Sequence, residues 1–254
     1  MVIDDLANRT HDCDFILDQN YYVNMESRYD GLIPENCTKF LGPQYLLLRN
    51  EFYNVLQTPV KRTGTVNCIL MFFGGSDATH ETLKAIEALT KLKQKNIRVD
   101  VVVGQANSDH EMIQNLIESM PAVNYYYHID NMAELMLKAD LAVIAAGGST
   151  WEACYLSLPV ITIMTAENQF EAISSLGMQG VVWNLGWYYD VTSDDIAAAI
   201  ETVCTSPEKL VEMGNGAKKL MGNSDGINKL LAAMKYTETS TVSGNVAANF
   251  DNDE

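Results

Sequence analysis

The stretch "DLAVIAAGGSTWEACYLSLPVITIM", residues 140–164, decides the fold. It opens with an apolar run of strand length, Leu141 to Ala146, that ends in Gly147 and Gly148. Two hydroxyl residues, Ser149 and Thr150, lead into a helical pattern over "STWEACYLS". Pro159 then starts a second apolar run, "VITIM". Runs this apolar, without alternation, belong to strands buried on both faces. Strand, one helix, strand is the unit that builds a parallel sheet, because parallel neighbours need a crossover.

The same rhythm extends in both directions. "NCILMFFGG", "IRVDVVVG", "AVNYYYHI" and "GVVWNL" read as further strands. Between them "ATHETLKAIEALTKLKQK" places Leu83, Ile86, Leu89 and Leu92 at helical spacing, and "SDHEMIQNLIESM" reads as a helix with a Ser or Asp cap. "DNMAELMLKA" puts Met132, Leu135, Met136 and Ala139 on one helical face. "NQFEAISSLG" reads as a helix closed by Gly177, and helices near 193–204, 207–220 and 226–235 complete the pattern. The expected architecture is α/β: a doubly wound parallel sheet, Rossmann-like, over residues 61–235. Residues 1–60 differ. "MVIDD", "CDFILDQ" and "PQYLLLR" read as three short strands without a long helix between them, too little to bury both faces alone. They are expected to be the trailing part of another domain. The polar tail 236–254 is expected to be disordered.

Composition narrows the function classes. Asp and Glu number 33 against 17 Lys and Arg, a formal net charge of −16, so a nucleic-acid backbone is not the expected partner. A small phosphate ligand remains compatible, because helix N-termini bind anions through backbone N–H groups. The five cysteines contain no CxxC pair and read as buried thiols of a reducing, cytoplasmic protein. No apolar run approaches the ~18 residues of a membrane span, and no signal-peptide pattern opens the chain. "His11-Asp12-Cys13-Asp14" suggests a metal cluster, but strand neighbours alternate between faces, so no metal and no cofactor is expected.

In an open parallel sheet the ligand binds beyond the carboxyl ends of the strands. Three loops occupy such places. Gly74-Gly75-Ser76-Asp77 follows one strand, with Asp77 also readable as a helix cap. His128-Ile129-Asp130-Asn131-Met132 follows another. Ala146-Gly147-Gly148-Ser149-Thr150 follows a third and suits an anion best, since glycine lets phosphate oxygens approach the backbone and Ser149 or Thr150 can cap the helix. Each admits a plain strand-to-helix turn as the alternative. Glu152, one turn on, reads either as helix-dipole compensation or as the acceptor of both hydroxyls of a ribose. Asn168 and Gln169 read either as a cap or as partners of sugar hydroxyls.

The blocks "IDDLANRTHDCDFILDQN", "LGPQYLLLRNEF", "FFGGSD", "IDNMAELMLKADLAVIAAGGSTWEACYLSLPVITIMTAENQ" and "DGINKL" occur in the order found in one family. The chain resembles the UDP-2,4-diacetamido-2,4,6-trideoxy-β-L-altropyranose hydrolases of pseudaminic acid biosynthesis and the related spore-coat polysaccharide glycosyltransferase-like proteins. More distantly, it resembles the nucleotide-binding half of the lipid II N-acetylglucosaminyltransferases. The resemblance implies a GT-B-like fold, two Rossmann-like domains with a UDP-sugar between them, and release of UDP from a UDP-linked di-N-acetylated 6-deoxyhexose. It implies that Gly147, Gly148, Ser149 and Thr150 hold the diphosphate and that Glu152 binds the ribose. His128 and Ile129 would face the uracil with Met132 beneath it, Gly75 and Ser76 would line the phosphate side, and Asn168 and Gln169 would contact the sugar. The family's glycine-rich turn with its base histidine, and its Asp-x-Tyr segment, have no counterpart in this sequence. Weak turnover is therefore expected, and three alternatives stay open for the missing part: a fragment, a gene lacking its 5′ portion, or a split protein with a separate N-terminal partner. Glycosyl transfer, or UDP-sugar binding without catalysis, are the alternatives.

Overall fold

The computed structural model describes residues 1–55, 62–94, 96–222 and 226–235; the expected disordered tail lies outside them. The chain forms two compact units. One contains residues 1–20 and 24–47 together with the helix at 226–235, and the other contains residues 21–23 and 48–221.

In the first unit three short parallel strands pair in chain order: β1 (Val2–Ile3), β2 (Phe15–Asp18) and β3 (Thr38–Leu41). The third is not the "PQYLLLR" of the sequence reading. Gly42 adopts a left-handed φ of 103°, Pro43 follows, and Pro43–Tyr45 closes as a 3-10 turn. A proline without an N–H at the start of the run favours that turn over a strand. Leu230, with Ala233 and Met234, packs on Leu17 and Phe40, so the helix at 226–235 completes this unit's core rather than the region in which its sequence position was read. Beneath the strands the Tyr29 hydroxyl lies 3.1 Å from Asp4 Oδ2 and 3.0 Å from Asp18 Oδ2. His11, from the suspected metal cluster, faces Asp4 at 3.6 Å. Among the described residues no group of three or more His, Cys, Asp or Glu is arranged to hold a metal.

The second unit is a six-stranded, all-parallel sheet. Its strands are β4 (Cys68–Phe72), β5 (Arg98–Val103), β6 (Val123–Tyr127), β7 (Leu141–Ala145), β8 (Val160–Met164) and β9 (Trp183–Trp187), in the spatial order β6-β5-β4-β7-β8-β9. Renumbered within the unit, that is 3-2-1-4-5-6, the doubly wound order. β4, β7 and β8 are almost wholly buried, which is why they read as unbroken apolar runs. The intervening helices are α2 (Glu81–Lys91), α3 (His110–Ile117), α4 (Met132–Lys138), α5 (Gly148–Tyr155) and α6 (Phe170–Met178), with α7 (Ser193–Thr205) and α8 (Pro207–Met221) after the last strand. A short α1 (Asn50–Val55) precedes β4. α2, α3 and α7 share one apolar core with the sheet, through residues such as Ile86, Ile113, Ile196 and Ile200. Chain direction across the sheet reverses between β4 and β7. Because crossovers are right-handed, α4 and α5 then fall on the opposite face. The loops after β4 and β7 therefore splay apart and leave a crevice. Among the described residues no helix is long and apolar enough to cross a membrane.

Candidate functional site

The crevice is a cavity of about 570 Å³ within the second unit, a volume suited to a small-molecule ligand. Its walls come from four consecutive strand ends. Phe72 ends β4 and Gly74 and Gly75 follow it, while Val102 and Val103 end β5 and Gly104 to Ala106 follow it. His128, Ile129 and Met132 lie beyond β6, and Gly148, Ser149 and Glu152 beyond β7. Arg49, just before α1, completes the lining.

Two helices start at this rim, and they differ in how their first amides are used. At α2 the Asp77 carboxylate turns onto the helix, accepting from Glu81 N at 2.9 Å and Thr82 N at 2.8 Å. That seat is occupied by the chain's own anion. Burial pushes the Asp77 carboxyl up, and the hydrogen bonds from Thr82 and Glu81 oppose it. At α5 the N-cap position is Gly147 in extended backbone, and no side chain caps it. Neither Ser149 nor Thr150 caps the helix, contrary to the sequence reading. The Thr150 hydroxyl turns back to the Ala145 carbonyl at 3.4 Å and its N–H donates to Gly147 O at 3.0 Å. Helix geometry leaves the Gly148 and Ser149 amides without intrahelical acceptors, and both residues line the cavity. The macrodipole adds a partial positive charge there. α5 thus offers an uncapped, glycine-flanked seat for an anion, and α2 does not.

Glu152 stands one turn further along α5, its side chain 17% exposed. Arg49 donates to its Oε1 through Nε at 3.2 Å and Nη2 at 3.0 Å. Burial raises the Glu152 carboxyl above its ordinary range, Arg49 pulls it back, and Glu51 pushes it further up. The opposite wall is less polar. His128 has a left-handed φ of 48°, its N–H is bonded to Val103 O at 3.0 Å, and Met132 is buried at the start of α4. The left-handed His128 turns the backbone at the end of β6, and His128, Ile129 and Met132 line the cavity together.

Seven of the twelve sequence-derived residues line one cavity: Gly75, His128, Ile129, Met132, Gly148, Ser149 and Glu152. Five do not. Thr150 is fully buried and serves the turn. Gly147 sets up the α5 N-terminus. Ser76 and Asn168 are exposed outside the lining. Gln169 spends its carbonyl on the amides of Thr165 (2.7 Å) and Ala166 (3.3 Å), which builds the 3-10 turn Glu167–Gln169 ahead of α6. Two contributors were absent from the sequence reading. Gly104 allows the β5 loop to touch the β4 loop: a Cβ there would lie 2.3 Å from Gly75 O and 2.4 Å from Gly75 Cα. Arg49 reaches Glu152 across 103 positions, beyond any local pattern.

Comparison with known proteins agrees with this architecture. The profile of the glycosyltransferase family 28 C-terminal domain matches residues 69–230. The chain is 26% identical over 217 residues to the spore coat polysaccharide biosynthesis protein SpsG of Bacillus subtilis, a match covering 84% of this chain and 62% of that protein. It is 25% identical over 173 residues to the UDP-2,4-diacetamido-2,4,6-trideoxy-beta-L-altropyranose hydrolase of Campylobacter jejuni, covering 68% of this chain and 60% of that one. The chain thus spans less than two thirds of the length of these two relatives. Among solved structures, MurG of Acinetobacter baumannii superposes with a TM-score of 0.62 at 16% identity, over 87% of this chain and 66% of that chain. The UDP-GlcNAc 2-epimerase of Neisseria meningitidis gives 0.62 at 17%, over 86% and 62%. These likenesses support the GT-B-like fold. With a six-stranded parallel sheet in doubly wound order and a profile match across most of the unit that carries it, the chain belongs to the glycosyltransferase family 28 C-terminal domain family.

Proposed function

We propose that this chain is the UDP-binding part of a nucleotide-sugar enzyme. The observation that carries the reading is the open α5 N-terminus facing the same cavity as Glu152 and the His128–Met132 wall. In this reading the Gly148 and Ser149 amides receive the diphosphate and Glu152 takes the ribose hydroxyls. The backbone at His128 and Ile129 meets the uracil edge over Met132. Gly75 borders the phosphates, and the exposed Asn168 reaches the sugar.

For the reaction, we favour hydrolysis of a UDP-linked 2,4-diacetamido-2,4,6-trideoxyhexose. The blocks of sequence named above and the Campylobacter jejuni relative support this choice. Water adds to the anomeric carbon and loses one proton to solvent, the bond from that carbon to the β-phosphate oxygen breaks, and UDP leaves with the electron pair. The α5 terminus stabilises the departing phosphate, by up to ~2 kcal/mol. Glycosyl transfer from the same donor cleft is the second reading. The family description, and glycosyltransferases among the similar structures, favour it.

Two measurements test these readings. Calorimetric titration with UDP should give saturable binding at submillimolar to millimolar ligand; an absence of heat at millimolar UDP overturns the nucleotide reading. Incubation with the UDP-sugar should yield free reducing sugar and UDP, whereas a glycosylated acceptor supports transfer.

A further inference from the structure

Arg49 makes more contacts than a surface charge needs. Its Nε and Nη2 both donate to Glu152 Oε1, at 3.2 and 3.0 Å. Nη1 lies 2.8 Å from Glu51 Oε1, and the guanidinium sits 5.2 Å from the centroid of the fully buried Phe52 ring. Glu51 is itself anchored, because its Oε2 accepts from Ala133 N at 3.1 Å in the first turn of α4. A chain of charge-assisted bonds thus ties the start of α4, through Glu51 and Arg49, to Glu152 on α5. Such bonds are about twice as strong as neutral ones, and the planar guanidinium fixes direction as well as distance.

The bonds to Glu152 are one-sided. A carboxylate offers about four lone-pair sites, two on each oxygen. Arg49 fills both on Oε1, so Oε2 is the oxygen left for a ligand. An unrestrained glutamate on a helix samples several rotamers, and ordering one costs conformational entropy. Here that ordering precedes ligand arrival.

We propose that Arg49 is a positioning residue for Glu152, holding it so that Oε2 alone is presented to the vicinal diol of a nucleoside diphosphate. This rests on the nucleotide reading of the cavity. It adds a specificity consequence: the preference for ribose over 2′-deoxyribose depends on Arg49, which need not touch the ligand. The groups acting on Glu152 are Arg49, which favours its ionised form, and Glu51, which opposes it. From α4 the uncharged Met132 lines the same cavity as Glu152, and so does His128.

The test uses the full chain and the variants Arg49→Gln and Arg49→Lys. UDP and 2′-deoxyuridine diphosphate are titrated calorimetrically from pH 5 to 8. The Glu152 carboxylate is followed separately by carbon-13 NMR without ligand. Arg49→Gln should bind UDP at least about tenfold more weakly, lose most of the UDP-over-deoxy preference, and move the Glu152 midpoint to higher pH. Affinity is lost as pH falls through that midpoint, so the loss should begin at higher pH than in the parent. Arg49→Lys keeps a cation without the fork. It should return the midpoint towards the parent value and leave the diol preference poor. If Arg49→Gln leaves the Glu152 titration unmoved, the proposal is overturned whether or not UDP binds. An unmoved diol preference with a shifted midpoint also overturns it. A parent chain that ignores UDP but shows the midpoint shift refutes the nucleotide reading and, with it, the specificity consequence, while the Arg49–Glu152 coupling stands. Arg49 is half exposed, and a thermal melt of each variant checks that it folds.

Discussion

Gly104→Ala places a single methyl where the structure has no room for one. The ideal Cβ falls 2.3 Å from Gly75 O, 2.4 Å from Gly75 Cα and 2.6 Å from Gly75 C. These are backbone atoms, so no rotamer change relieves the clash. The loop after β4 must retreat by about 1 Å to recover ordinary contact distances. Overpacking of this kind costs ~1–3 kcal/mol. The shift also stretches the hydrogen bond from Ala106 N to Gly75 O, now 3.1 Å, a further ~0.5–1.5 kcal/mol. The expected destabilisation is ~2–4 kcal/mol, or a fall in Tm of ~4–16 °C for a unit of this size. Gly104 has no left-handed φ, so the penalty is steric and not conformational. Urea denaturation gives the stability change, and calorimetry with UDP reports on the cavity wall that Gly75 and Gly104 share. UDP affinity should fall with stability. A variant within ~0.5 kcal/mol of the parent, binding UDP equally well, would refute the claim that contact between these two loops shapes the site.

Other outcomes follow from the same geometry. A Cβ at Gly148 meets nothing within 4 Å, so Gly148→Ala should leave Tm unchanged or slightly higher, yet weaken UDP binding, as parallel melts and calorimetry would show. The Glu152 carboxyl titrates above its ordinary value, so the fold favours its neutral form. That contribution is present in full below the unfolded pKa and is lost as pH rises through the folded one. Glu152→Gln should therefore keep or raise Tm at pH 7, an advantage that shrinks towards pH 4, while UDP affinity drops about tenfold or more. Cys13 and Cys37 have sulfurs 3.7 Å apart, and burial pushes the Cys37 thiol up to about 11. Diamide, which takes the two thiol hydrogens and is reduced to the hydrazine, should link this pair slowly and faster at alkaline pH. Peptide mapping that finds Cys154 linked in its place would contradict the structure, since Cys154 is fully buried on α5.

The alternation of apolar runs and amphipathic helices made the second unit legible, because β4, β7 and β8 are buried on both faces and carry little but apolar residues. The first unit was harder to read. Leu46 to Leu48 resemble a strand, whereas the true strand is the mixed "TKFL" of Thr38–Leu41, and the deciding signals were the unobtrusive Gly42 and Pro43. At the site, glycines between a strand and a helix pointed to loops that line the cavity. Sequence favoured the loop before α5 and offered Asp77 as a helix cap, but only folding shows that Asp77 fills the α2 seat while the α5 seat stays uncapped, because both follow a Gly-Gly pair. Nor could it separate Thr150, committed to Ala145, from its neighbour Ser149, which lines the cavity. Arg49 and Gly104 act through partners brought close only by folding, so no local spacing announced them.

The central claim is that the first amides of α5 receive a diphosphate while Glu152 holds the attached ribose. The most direct measurement is an amide-resolved NMR titration of the chain with UDP. The account predicts the largest saturable shifts at Gly148 and Ser149, with accompanying changes at Ile129 and Glu152. Saturation by UDP with those four amides unmoved would contradict it.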